Sequence, residues 1–197
     1  MKRLILASGN RGKLAELREL LAPIGIECIA QGELGIADIE ETGATFVENA
    51  LLKARHAAHE SRLPALADDS GLCVDTLGGA PGLHSARYAG AHGDSAANIA
   101  KLLGVLRGNE DDRGAHFHCS IVLLARADDP APLIAEGRWH GRILEAPRGE
   151  KGFGYDPVFL PAGYERSAAE LDTATKNRIS HRGQALATLR RLLESAA

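Results

Sequence analysis

Five stretches of this chain combine residue types that can do chemistry. Ser8-Gly9-Asn10-Arg11-Gly12-Lys13 falls where a short apolar run gives way to helical periodicity. A turn of that kind aims free backbone N–H groups and the positive helix end at an anion. Gly9 and Gly12 permit close backbone approach, Ser8 and Asn10 can donate hydrogen bonds, and Lys13 adds a point charge. The spacing is not that of a Walker A loop, and an ordinary strand-to-helix turn fits the same residues. Asp68-Asp69-Ser70-Gly71 follows apolar Ala65-Leu66-Ala67. Neighbouring carboxylates at a strand end point to opposite faces, so one can enter a cleft while the other braces it. A buried carboxylate is costly without a partner, which implies a metal or a cation; a polar surface turn is the alternative.

Glu40-Glu41 alone reads as a solvated pair. With Asp69 it could complete a hard-oxygen site for Mg²⁺, which takes one or two carboxylates and keeps several waters. Gly152-Phe153-Gly154-Tyr155-Asp156-Pro157 sets two aromatics in a glycine-rich loop of a chain with only 4% aromatic residues, which favours stacking on a base over a hairpin with a core ring. Lys176-Asn177-Arg178-Ile179-Ser180-His181-Arg182-Gly183 brings cations to a predicted helix start. Cations repel the positive N-terminus, so an anion or carbonyl oxygen nearby would explain them. His116 and His118 share a strand face but lack a third ligand at metal spacing. Trp139 reads as sheet packing. His84-Ser85 lacks an orienting acid, and a lining role or a subunit contact suits it better.

The elements that must position these residues form an α/β pattern. Arg3–Ala7 reads as a strand, Lys13–Leu21 as a helix with an apolar stripe at Leu14, Leu17, Leu20 and Leu21, and Ile26–Ala30 as a second strand. Thr45 and Glu48 form a capping box for a helix reaching Ser61. Its stripe is Val47, Ala50, Leu51, Ala54, Ala57 and Ala58, and Asn49 and Lys53 flank it at i, i+4. Ala65–Ala67 and Leu72–Leu77 read as separate strands. Asp94 caps a helix carrying Ile99, Leu102, Leu103 and Leu106, and Ala115–Ala127 alternates as a long strand. Leu133–Trp139 and Arg142–Glu145 read as antiparallel pieces joined by short turns, Pro157–Leu160 as a strand exit, and Ser180 as the cap of a last helix. The expected architecture is one domain over residues 1–197. It has two lobes without a linker, around a long mixed central sheet with the active-site cleft between them.

Composition narrows the classes. The 197 residues carry 23 Lys and Arg against 26 Asp and Glu, a net of −3. That is no basic footprint for duplex nucleic acid, though a small anionic ligand needs only a few cations. No apolar run approaches the roughly 20 residues of a membrane span, and the N-terminal apolar stretch stops at Ser8, short of a secretory core. A cytoplasmic protein with neither nucleic-acid nor membrane partner is expected. Cys28, Cys73 and Cys119 form no CxxC, against both a zinc knuckle and a disulfide framework.

Six stretches, in order along nearly the whole chain, resemble the inosine triphosphate pyrophosphatase family, the non-canonical purine NTP pyrophosphatases (dITP/XTP diphosphatases). They are Ser8-Gly9-Asn10 through Lys13; Glu40-Glu41-Thr42-Gly43 with Phe46 to Lys53; Asp68-Asp69-Ser70-Gly71-Leu72; Gly78 to Tyr88; Phe153-Gly154-Tyr155-Asp156-Pro157; and Ser180-His181-Arg182-Gly183. The resemblance implies an elongated two-lobed α/β homodimer that hydrolyses ITP, dITP or XTP to the monophosphate and pyrophosphate with Mg²⁺. It implies that Ser8, Gly9, Asn10, Arg11, Gly12 and Lys13 hold the phosphates, that Glu40 and Asp69 hold Mg²⁺, and that Asp69 activates water with support from Lys53 and Asp68. Ser70 would touch the substrate. Phe153, Gly154, Tyr155, Asp156, Lys176, His181 and Arg182 would hold base and sugar. Donors such as Arg182 and His181 would pair with a 6-oxo acceptor and meet a clashing donor in adenine, and a site that must pair discriminates by about 10⁴–10⁵-fold. Two other readings use the same residues. One is a pyrophosphatase for modified pyrimidine nucleotides, as in the related Maf family. The other is a non-catalytic nucleotide sensor, disfavoured because acids beside a polyphosphate need a metal.

Overall fold

Six strands form one mixed sheet in the order β2-β1-β3-β4-β5-β6, in a computed structural model that describes residues 3–108 and 112–195. They are β1 (Arg3–Leu6), β2 (Glu27–Ala30), β3 (Ala65–Val74), β4 (Gly114–Leu124), β5 (Leu133–Ile143) and β6 (Phe159–Pro161). β1 runs parallel to β2 and to β3, with Ile5 level with Ile29 and Ala65, and β6 runs antiparallel to β5. Parallel neighbours need crossovers. Helix α1 (Arg11–Leu21) supplies the first and α2 (Phe46–Ser61) the second. Three further helices follow, α3 (Ser95–Val105), α4 (Thr173–Ile179) and α5 (His181–Ser195).

The chain divides into two compact units. The first is Met1–Asp69, Cys119–Gly137 and Arg182–Ala197; the second is Ser70–His118 and Arg138–His181. In the first, β1 is buried on both faces. Leu4 and Leu6 pack with Leu17, Leu66, Ile121 and Leu189, while Ile5 and Ala7 pack with Ala50, Ala54, Ala57 and Val122. The alanine stripe of α2 lets that helix sit close to the sheet, and Val47 and Leu51 flank it half-buried. The second unit has its own core of Leu72, Val74, Leu102, Leu106, Phe117, Trp139, Val158 and Phe159.

The caps follow local chemistry. Asn10, Thr45 and Asp94 accept from the backbone N–H of Lys13, Glu48 and Ala97 at the starts of α1, α2 and α3. Glu48 returns its carboxylate to the Ala44 N–H at 2.9 Å.

Four expectations are corrected. Asp68 and Asp69 do not lie in a turn at a strand end. β3 runs unbroken from Ala65 to Val74, because cations and amide groups that no local pattern reveals satisfy both carboxylates. Residues 75–77 form a 3-10 turn instead of prolonging a strand. Within the segment 133–145, Leu133–Ile143 form one eleven-residue strand with Gly141 inside it. A side chain there would run into the Leu160 carbonyl and the Phe159 ring, so the glycine marks the close approach of β6 and not a turn. Lys176 and Asn177 lie in a separate short helix, α4, which Ser180 ends. The side chains of Leu20 and Arg11 lie outside the described residues, although both fall within α1.

Candidate active site

Two groups of polar side chains, one in each unit, account for most of the expected site residues. In the first unit, Ser8-Gly9-Asn10 leads into α1. Ser8 Oγ accepts from the Asn10 N–H at 3.2 Å, and Asn10 Oδ1 accepts from the Lys13 N–H at 3.1 Å. Gly9 and Asn10 are exposed and Ser8 is half-buried. Gly9 lies close against Asp38, since an added Cβ would stand 2.6 Å from Asp38 Oδ2. The Lys13 ammonium lies 3.2 Å from Asp68 Oδ2.

Asp68 and Asp69 face different partners, as strand alternation requires. Asp68 is wholly buried and accepts from Arg182 Nη2 at 2.9 Å. Arg182 in turn pairs with Glu16 of α1. Burial alone would raise the Asp68 pKa, but Lys13, Arg182 and Lys53 outweigh it and hold the group charged, far below the usual carboxylate range. Asp69 receives Lys53 Nζ at 3.0 Å and Asn49 Nδ2 at 3.3 Å. Here burial wins over Lys53 and Lys13, and the carboxyl is pushed above its ordinary value. Lys53 also reaches Glu41 Oε1 at 2.8 Å. Burial opposes its charge, yet Asp69, Asp68 and Glu41 together raise its pKa. The i, i+4 spacing of Asn49 and Lys53 thus delivers both to one carboxylate. The acidic pair before α2 divides: Glu41 is half-buried on Lys53, and Glu40 is exposed.

In the second unit, Asp156 Oδ2 accepts from Lys176 Nζ at 2.7 Å and from the Phe153 N–H at 2.9 Å. The Lys176 ammonium stands 5.0 Å from the centroid of the Phe153 ring, within cation–π range. Phe153 is 37% exposed, which leaves part of an aromatic side chain at the surface. Gly154, at φ +61°, makes the turn that sends the next residue the other way. Tyr155 is therefore no second stacking surface. It is buried in the core and its hydroxyl donates to the Ser85 carbonyl at 2.9 Å. His181 is also buried, its ring stacked on Phe117 at 4.8 Å and 12°. Ser70, on β3, is half-buried. His116 tilts against His140 at 5.5 Å, and Trp139 lies in the core.

Sequence reasoning missed Glu16 and Glu41 as partners of the site cations, and Asp38 beside Gly9. Glu16 had one local signal: it stands three residues after Lys13, one helical turn on. Arg182 was expected to face a base edge. The structure buries its guanidinium between Glu16 and Asp68, because a fully buried carboxylate must be neutralised.

Among the described residues no group of three or more His, Cys, Asp or Glu side chains could enclose a metal ion. What the first unit offers is hard carboxylate oxygen, from Asp69 and the Glu40-Glu41 pair. That donor set fits Mg²⁺, which takes one or two carboxylates and fills its remaining positions with water and substrate phosphates.

Residues 4–192 match the model of the Ham1 family. The chain belongs to that family. Among its relatives, a dITP/XTP pyrophosphatase of Xanthomonas campestris pv. campestris (strain 8004) is 61% identical over 99% of this chain and 98% of its own length. A dITP/XTP pyrophosphatase of Ralstonia nicotianae is 57% identical over the whole of both chains. The solved HAM1 protein of Coxiella burnetii superposes with a TM-score of 0.91 at 54% identity, covering 99% of this chain and all of that one. The Staphylococcus aureus Ham1 protein superposes at 0.87 with 39% identity over the whole of both. These Ham1 structures share the mixed α/β fold described above. No helix among the described residues is long and apolar enough to cross a membrane.

Proposed function

We propose that the protein hydrolyses non-canonical purine nucleoside triphosphates (ITP, dITP and XTP) to the monophosphate and pyrophosphate, clearing them from the nucleotide pool. The observation that carries this reading is the placement of Asp69, a buried carboxylate oriented by Lys53 at 3.0 Å and Asn49 at 3.3 Å. A base in that setting suits removal of a proton from water. As the water oxygen bonds to the α-phosphorus, its proton passes to Asp69, the bond to the bridging oxygen breaks, and pyrophosphate leaves.

Little else is covalent in such a transfer, so positioning and charge stabilisation do most of the rest. Lys13 and the N–H groups at the start of α1, with Ser8, Gly9, Asn10, Arg11 and Gly12, contact the phosphates. Asp68 keeps the Lys13 ammonium in place, and Arg182 keeps Asp68 charged. Glu40 and Asp69 would hold Mg²⁺, which would supply neutralisation of polyphosphate charge. Phe153 stacks on the purine, and Lys176, fixed by Asp156, offers a donor beside the ring. Gly154 and Tyr155 shape that loop, while Ser70 and His181 complete the contacts to base and sugar. The protein acts in the cytoplasm as a homodimer in this reading.

A nucleotide panel with and without Mg²⁺, read by pyrophosphate release, tests the assignment. ITP, dITP and XTP should give pyrophosphate in the presence of Mg²⁺, with ATP poor. Asp69→Asn should lower kcat by about 10²–10⁴-fold, the usual worth of a general base, with an unchanged circular dichroism spectrum. Orthophosphate as the product, or near-normal turnover in that variant, refutes the scheme.

A further inference from the structure

One ridge of α2 grips the acidic segment that precedes it. Asn49, Lys53 and His56 are spaced four and three residues apart, so they line one face of the helix. Asn49 Oδ1 accepts from the Gly43 N–H at 2.8 Å, Lys53 Nζ donates to Glu41 at 2.8 Å, and His56 Nε2 donates to the Ala37 carbonyl at 3.0 Å. As the helix advances, its partners recede from 43 to 41 to 37, so the segment lies antiparallel along the helix. Residues 36–43 form neither helix nor strand, and side-chain contacts of this kind take the place of a ladder. At the Gly43 end the fit is tight, since a Cβ there would stand 2.7 Å from Asn49 Oδ1 and from Glu48 Cβ. At the other end Gln31 donates to Asp38.

The same ridge faces both sources of carboxylate. Asn49 and Lys53 hold Asp69 as well as the segment. His56 stands one turn further on, and its bond goes to the segment's backbone. Glu40 and Glu41 lie between the His56 anchor at Ala37 and the Asn49 anchor at Gly43.

We propose that His56 is a positioning residue for the divalent ion: by fixing the Ala37 carbonyl it sets where the Glu40-Glu41 carboxylates stand relative to Asp69. The inference rests on the metal assignment given above. Groups that orient metal ligands from outside the coordination shell typically alter metal affinity by about 10–100-fold. His56 acts through one backbone hydrogen bond and shares the task with Gln31, so its loss should cost about fivefold, the scale of a single such bond.

The test compares His56→Ala, His56→Gln and Gln31→Ala with the unaltered protein. Two quantities are read: Mn²⁺ binding by electron paramagnetic resonance without nucleotide, and the Mg²⁺ concentration giving half-maximal pyrophosphate release. His56→Ala should weaken both about fivefold, with kcat at saturating Mg²⁺ and the melting temperature near those of the parent. His56→Gln keeps an N–H donor of similar reach and should restore both. Gln31→Ala loosens the segment from its other side, independently of His56, and should move both in the same direction. Unmoved metal constants in His56→Ala, or in Gln31→Ala should His56→Ala fail to fold, overturn the proposal. So does a loss confined to kcat. If the unaltered protein releases no pyrophosphate at any Mg²⁺ concentration, the reading of function falls, while the Mn²⁺ titration still decides the role of His56.

Discussion

Removing the Arg182 guanidinium should be among the most damaging single changes to the first unit. Its side chain is 2% exposed and that of Asp68 is 0% exposed, so solvent screening cannot make up for the loss. Arg182→Met preserves much of the volume and leaves Asp68 with Lys13 as its near cation. Breaking a buried pair from one side costs about 3–5 kcal/mol. For a chain of this size that is a fall in melting temperature of about 6–20 °C, at about 2–4 °C per kcal/mol. It is a large part of the roughly 5–15 kcal/mol that keeps a domain folded. The double variant Arg182→Met/Asp68→Asn removes the stranded charge as well. It should recover part of the loss, with a coupling of about 0.5–3 kcal/mol. Urea denaturation of the parent, both single variants and the double variant measures the cycle. If Arg182→Met loses less than about 1 kcal/mol, or if the double variant is only the sum of the two singles, the pair is not a coupled buried unit and the account of Asp68 collapses.

Two further predictions separate surface from core. Phe153→Ala should raise KM for ITP by about 5–150-fold, the range of about 1–3 kcal/mol for lost base stacking, with little change in melting temperature. Tyr155→Phe should do the reverse, costing about 1 kcal/mol of stability for one lost hydroxyl bond while KM holds. Steady-state kinetics paired with thermal melts distinguishes them, and equal KM effects would put both rings in the binding surface. Gly141→Ala should destabilise by about 1–3 kcal/mol, as overpacking does, because the obstruction is the Leu160 backbone and cannot swing aside; a neutral melt would show that β6 has room to move.

Much of the frame is written locally. Thr45 with Glu48, and the alanine stripe with its flanking Asn49 and Lys53, can be read within sixteen residues, because capping and helical periodicity act over one or two turns. The same holds for Asp94 as a cap. The unbroken apolar run Leu4-Ile5-Leu6-Ala7 announces a strand buried on both faces. Strand limits were less legible. Asp, Ser and Gly usually break a strand, and only the partners of Asp68 and Asp69 explain why β3 continues. Gly141 carries the same residue type as a turn, but its cause is a neighbouring strand eighteen or more positions away.

By itself the sequence determined which groups could do chemistry: two adjacent carboxylates after an apolar run, a glycine-bearing turn into a helix, and a glycine-rich aromatic loop. It also carried the family resemblance. The tertiary structure alone decided how those groups are paired. Asp68 meets Arg182 from 114 residues away, and Arg182 meets Glu16 across 166. It also decided which of two neighbours faces outward: Phe153 is open and Tyr155 buried, Glu41 is bound to Lys53 and Glu40 exposed. The physical reason is range. Capping and periodicity act between residues close in the chain. The cost of burying a charge is met by whichever counter-charge the fold brings near, and no local pattern names it.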